Sequence, residues 1–135
     1  MKAIARRSKA GTYQHHIAIR EHSIATDEPG EAGGDNTGPS PQELLAASLA
    51  SCTAITVEMY AKRKGWEIDP IEVEVEYLPA ERGSPTSFTL KLVLPSHLDD
   101  EQVGRLRVIA AKCPVHRILD GEVMFDEIVE QTPAA

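Results

Sequence analysis

One stretch, "GPSPQELLAASLASCTAITVEMYAKRKG" (38–65), constrains the fold more than any other. Ser40 is placed to cap a helix and Pro41 suits its first position with a fixed φ. Glu43 stands at the third position, which completes an S-x-x-E capping box. The helix is predicted to run to Lys64, where the basic "KRK" complements the macrodipole and Gly65 ends it. Around Cys52 the sequence is apolar or small on nearly every face, so the helix must be covered on most sides. A chain of 135 residues has little else to cover it with, and a second subunit is therefore expected.

The flanking segments read mostly as strands. Residues 2–27 predict a β-meander, with "KAG" (9–11) as a turn and "YQHHIAIREHSIAT" supplying alternating and β-branched residues. "DEPGEAGGDNTGPSP" is a shaped loop; no strand leads into a G-x-G-x-x-G, so it is not a phosphate cradle. "IEVEVEY" (71–77) and "FTLKLVL" (88–94) alternate strictly and are joined by "LPAERGSPT", which predicts an antiparallel hairpin with one wet face. "DDEQVGRLRVIAAKC" has helical spacing, Pro114 interrupts it, and "PVHRIL" begins a further helical turn. "EVMFDEIVE" (122–130) closes the chain as a strand. The order β-β-β-α-β-β-α-β over residues 1–135 describes a single α+β domain, antiparallel sheet packed on a long helix.

Composition narrows the function. A net charge of -7 repels phosphate backbones, which excludes nucleic acid as a natural partner. The N-terminal residues lack the apolar core of a signal peptide and no segment reads as a membrane span, so a cytoplasmic protein is expected. The five histidines (15, 16, 22, 97 and 116) have no metal-ligand spacing, and neither a metal nor an organic cofactor is expected. His15 and His16, adjacent on a strand, point to opposite faces and read as solvated or satisfied side chains.

Two cysteines remain, Cys52 and Cys113, 61 residues apart and so not a C-x-x-C pair. In a reducing compartment such thiols are catalytic, redox-active or inert. Cys52, in its small-residue helix, reads equally well as a core residue. Cys113 precedes Pro114 at a helix start and is flanked by Lys112, His116 and Arg117. Helix N-termini and cations stabilise thiolates, so local electrostatics make Cys113 the more reactive of the two.

The long helix ending its small-residue run in "SCT", followed much later by "KCPVHRIL", resembles the OsmC/Ohr family of osmotically inducible and organic hydroperoxide resistance proteins. The resemblance implies an intertwined homodimer that reduces organic hydroperoxides and is regenerated by a dithiol, such as a lipoyl-type reductant. It assigns Cys52 as the peroxidatic and Cys113 as the resolving cysteine. It further implies an arginine, held by a glutamate, that activates the thiolate. In many relatives the acidic residue directly follows the helix-opening proline, where this chain has Gln42, with Glu43 one place later. Glu43 lies nine residues before Cys52, half a turn out of phase at about 100° per residue, so a catalytic role and a purely capping role both stand. Arg6, Arg7 and Arg20 are the arginines of the opening strands, and spacing does not choose among them. The alternative is a non-enzymatic dimeric binder whose apolar pocket is lined by unreactive cysteines.

Overall fold

A computed structural model describes residues 1–133. Strands β1 (Ile4–Arg7), β2 (His15–Ile19) and β3 (His22–Thr26) form one antiparallel sheet, in chain order, as the meander pattern requires. Helix α1 spans Pro41–Lys64 with both halves of the capping box formed and Gly65 in the left-handed conformation that ends it. Strands β4 (Glu72–Leu78) and β5 (Ser87–Val93) pair antiparallel, with the alternation turning Val73, Val75, Tyr77, Phe88, Leu90 and Leu92 toward the interior. Helices α2 (Asp100–Ala110) and α3 (Pro114–Leu119) follow, the first capped by Asp99 and the second by Cys113.

The core lies between α1, the β4–β5 hairpin and α2. Val57 and Leu106 are fully buried there with Ala61, Ile68, Leu98 and Ile109, while Trp66, Leu92 and Leu94 pack at its edge. By length and composition alone, helix α1 is long and apolar enough to cross a membrane, contrary to the sequence expectation. It instead serves as the central helix, with β4, α2 and α3 all packed on it.

The expected closing strand does not form. Among the described residues, 122–130 make no ladder, and Met124, Phe125, Ile128 and Val129 are 93, 86, 82 and 89% exposed. The alternating pattern is present, but a strand also needs a neighbour to satisfy its backbone, and this chain offers none. The first sheet is similarly isolated: every residue of β1 is exposed, and the sheet makes no substantial interface with α1, β4 or β5. The surface reflects this, at 10675 Å². A compact protein of this mass exposes about 6,900 Å².

The loop between β3 and α1 is a built object. The buried Asp27 carboxylate accepts from the Glu28 amide (2.7 Å), the Thr37 amide (3.1 Å) and the Thr37 hydroxyl (2.6 Å), tying the loop's two ends together. A side chain at Gly34 would collide with the Glu28 carbonyl, and one at Gly38 with the Ala25 carbonyl at 2.6 Å. These contacts fix where α1 begins.

Candidate active site

The two cysteines, distant in sequence, meet where α3 packs against the middle of α1. Cys113 is fully buried and caps α3: its Sγ accepts from the His116 amide at 3.2 Å and lies 3.7 Å from the Thr53 hydroxyl oxygen. Thr53 is itself fixed, because its hydroxyl donates to the Leu49 carbonyl one turn back (2.8 Å). Pro114 starts α3 directly after Cys113, so the chain turns here and presents the helix's free amides to sulfur.

Cys52 is half-buried and neighbours Cys113, since the adjacent Thr53 packs against the Cys113 sulfur. Burial pushes the Cys52 pKa up, and the Cys113 sulfur pushes it further, while the Val115 amide and the Thr56 hydroxyl pull it down. At neutral pH Cys52 therefore keeps its proton. Local electrostatics along the sequence favour Cys113 as the more reactive thiol, but its sulfur is enclosed, whereas Cys52 reaches the surface. Local charges near a sulfur say nothing about whether a substrate can arrive. Thr53, Thr56 and Val115 carry much of the geometry, and only the neighbourhood of Cys52 and of Pro114 in sequence could have pointed to them.

Glu43 is elsewhere. Its carboxylate accepts from the Ser40 amide at 2.9 Å, its own amide donates to Ser40 Oγ at 3.2 Å, and these bonds hold its pKa below the usual carboxylate value. With Gln42, Ala46, Ala47, Ala50, Val75 and Tyr77 it lines a cavity of about 440 Å³ between α1 and β4. Nine residues of helix put Cys52 on the opposite face, as the phase argument required. Within its own chain Glu43 is a helix cap and does not meet Cys52.

The three candidate arginines do not reach the sulfurs either. Arg6 and Arg7 are exposed on β1. Arg20 sits in the β2–β3 turn at φ 52° and pairs with Glu21 at 3.5 Å in open solvent. Cys52 and Cys113 line none of five cavities found among the described residues. Helix α1 carries an uncovered stripe, Leu45, Ile55 and Met59 at 39, 53 and 62% exposure, and Cys52 lies within it at helical spacing.

Comparison with known proteins places this geometry in a family. The OsmC-like protein family matches residues 33–127, and the chain belongs to it. A crystal structure of an osmotic stress induced and detoxification response protein from Psychrobacter arcticus superposes with a TM-score of 0.76 at 23% identity, covering 87% of each chain. An OsmC-like protein from Mycoplasma pneumoniae gives 0.73 at 17%, covering 89% of this chain and 86% of that one. The organic hydroperoxide resistance protein OhrB of Bacillus subtilis gives 0.58 at 29%, over 89% of this chain and 90% of that one. No curated protein matches the sequence.

Proposed function

We propose that the protein is a thiol-dependent peroxidase for organic hydroperoxides, with Cys52 as the attacking and Cys113 as the resolving sulfur. The observation that carries this reading is the unequal access of two neighbouring cysteines: one half-buried, one fully enclosed. The Cys52 thiolate attacks the terminal oxygen of R–O–OH and the O–O bond breaks. The alkoxide leaves as the alcohol with a proton, and Cys52 becomes a sulfenic acid. The Cys113 thiol then displaces that oxygen as water, forming a Cys52–Cys113 disulfide. A dithiol restores both thiols and leaves as its own disulfide. The organic hydroperoxide resistance protein of Bacillus subtilis, the most identical relative described above, supports the substrate class.

The functional unit in this reading is a homodimer in the cytoplasm. Each chain exposes on the order of 3,700 Å² more than a compact protein of its mass. The excess lies on an unpaired sheet, an unpaired C-terminal segment and the α1 stripe around Cys52. A second copy covers all three, and covering the stripe creates the apolar wall against which a hydroperoxide's organic group packs. The activating cation, which this chain's own fold does not bring to Cys52, would then come from the partner's strands.

Dithiol-dependent consumption of cumene hydroperoxide tests the reading. The expected result is turnover by the native protein, none by Cys52→Ser, and a single oxidation event, trapped as sulfenate, in Cys113→Ser. Equal turnover without Cys52 would overturn it. So would an inert native protein, which would leave the apolar binder as the better description.

A further inference from the structure

At the far end of α1, eight residues or about 12 Å beyond Cys52, aromatic and basic side chains converge in a second site. Tyr60 is buried, and its ring meets Trp66 edge-on with centroids 5.7 Å apart. Arg105 of α2 donates from Nε to the Tyr60 hydroxyl at 2.9 Å. The charged ends of Arg105, Lys64 and Arg63 lie 5.4, 5.7 and 5.9 Å from the centre of the same ring. Tyr60, Lys64, Trp66, Arg105, Glu101 and Val108 line a cavity of about 510 Å³ whose floor is opened by Gly104.

The charge at this site is unbalanced. Among the described residues none of the three cations has a carboxylate within 4.0 Å; the ion pairs are Arg20–Glu21, His22–Glu21 and Lys91–Glu74. Acidic residues outnumber basic ones 21 to 14 in this chain, so three unneutralised cations around one ring run against its overall charge. The terminal nitrogens of Arg105 make no hydrogen bond among the described residues, leaving a planar fork of donors that suits a carboxylate. Trp66 and Tyr60 supply flat apolar surface beside it.

We infer that this pocket binds a small aryl carboxylate, its anionic group on Arg105 and Lys64 and its ring against Trp66 and Tyr60. Glu101, on the same wall, disfavours a second negative charge, which selects a monoanion over a phosphate dianion. The site is independent of the hydroperoxide chemistry proposed for the cysteines.

Trp66 is the only tryptophan; it borders this cavity and a second one beside Glu67 and Ile71, and the Gly104 variant below assigns its fluorescence response to this one. The full-length protein is titrated with phenylacetate, with its neutral isostere phenylacetamide, and with inorganic phosphate. Phenylacetate is expected to give a saturable change, phenylacetamide one at least tenfold weaker, and phosphate none. Gly104→Leu places its Cβ where no atom lies within 4 Å and removes a glycine from a helix interior. It should abolish the response while hydroperoxide turnover and thermal stability are retained. Lys64→Gln, an exposed change, should weaken phenylacetate at least threefold and leave phenylacetamide unchanged. Equal binding of acid and amide, a response to phosphate, no saturable response to phenylacetate, or undiminished binding in Gly104→Leu would each overturn the inference.

Discussion

Replacing Phe125 by Asp asks whether the uncovered surface is an interface. Phe125 is 86% exposed in the single chain, in a segment with no neighbour. An aromatic side chain buries about 150–250 Å², so covering this one removes roughly 170 Å² from water. At about 25 cal/mol/Å² that contributes about 4 kcal/mol for each copy. Each 1.4 kcal/mol is a factor of about ten, so the dimer constant should weaken by about a thousandfold or more. The carboxylate that replaces the ring adds a desolvation cost in the same direction. Sedimentation at micromolar concentration should show the native protein as a dimer and Phe125→Asp dissociated. A melting temperature that rises with native protein concentration should accompany it, because assembly and folding are linked. Arg82→Ala, in the exposed β4–β5 loop, should change neither. A Phe125→Asp dimer of native affinity, or a native monomer that folds cooperatively alone, would refute the argument.

Further outcomes follow from individual contacts. Glu43→Gln keeps the capping box, since glutamine also serves at that position, and should leave hydroperoxide turnover and its pH profile unchanged; a slowed reaction at neutral pH would restore a catalytic role to the carboxylate. Ser40→Ala breaks the box and should cost about 1 kcal/mol in denaturant unfolding. Because burial raises the Cys52 pKa in the single chain, stopped-flow oxidation of a dissociated variant should still accelerate as pH passes the ordinary thiol value of 9.0, whereas the assembled native protein should plateau well below it; a native protein that also accelerates past that value would remove the cation from beside the sulfur. Asp27 is held below 3.8, first by the Thr37 hydroxyl and then by its amide, so its contribution is present above that pH and lost as pH falls through the folded value. Asp27→Asn should lower stability at neutral pH and flatten the acid limb of a stability–pH curve.

The parts of the fold governed by local chemistry were legible in the sequence. Ser40, Pro41, Glu43 and Gly65 bound α1 because caps act within one turn, and the strict alternation of Val73, Val75 and Tyr77 fixes which face of β4 is wet. The closing strand was not, because pairing is decided by a neighbour that local pattern does not reveal. Cys113 illustrates the same limit. Its setting before Pro114 announced a helix cap, which it is, but burial comes from α1 packing over it, through Thr53 sixty positions away. Electrostatics read along the chain thus favoured the sulfur that packing encloses.

In the proposed reaction that inversion sets the order of events. A peroxide is larger than a water molecule and must approach the attacking sulfur along the O–O axis, so the first step belongs to the thiol with an open side. The second step needs no incoming substrate; it needs a thiol already in contact, and an enclosed Cys113 is protected from oxidising independently. Its fixed position, capped on the His116 amide and held by Thr53, keeps it beside Cys52 when the sulfenic acid forms. What the single chain lacks is charge: the Val115 amide and Thr56 hydroxyl favour the thiolate, yet burial and the neighbouring sulfur outweigh them. The open stripe of Leu45, Ile55 and Met59 runs past Cys52, and in the proposed dimer a partner chain arriving there would supply both the apolar wall and the place for a cation. Dimerisation and thiol activation are on this argument one event, and a variant that dissociates the dimer should lose oxidation of Cys52 at neutral pH even though both cysteines remain.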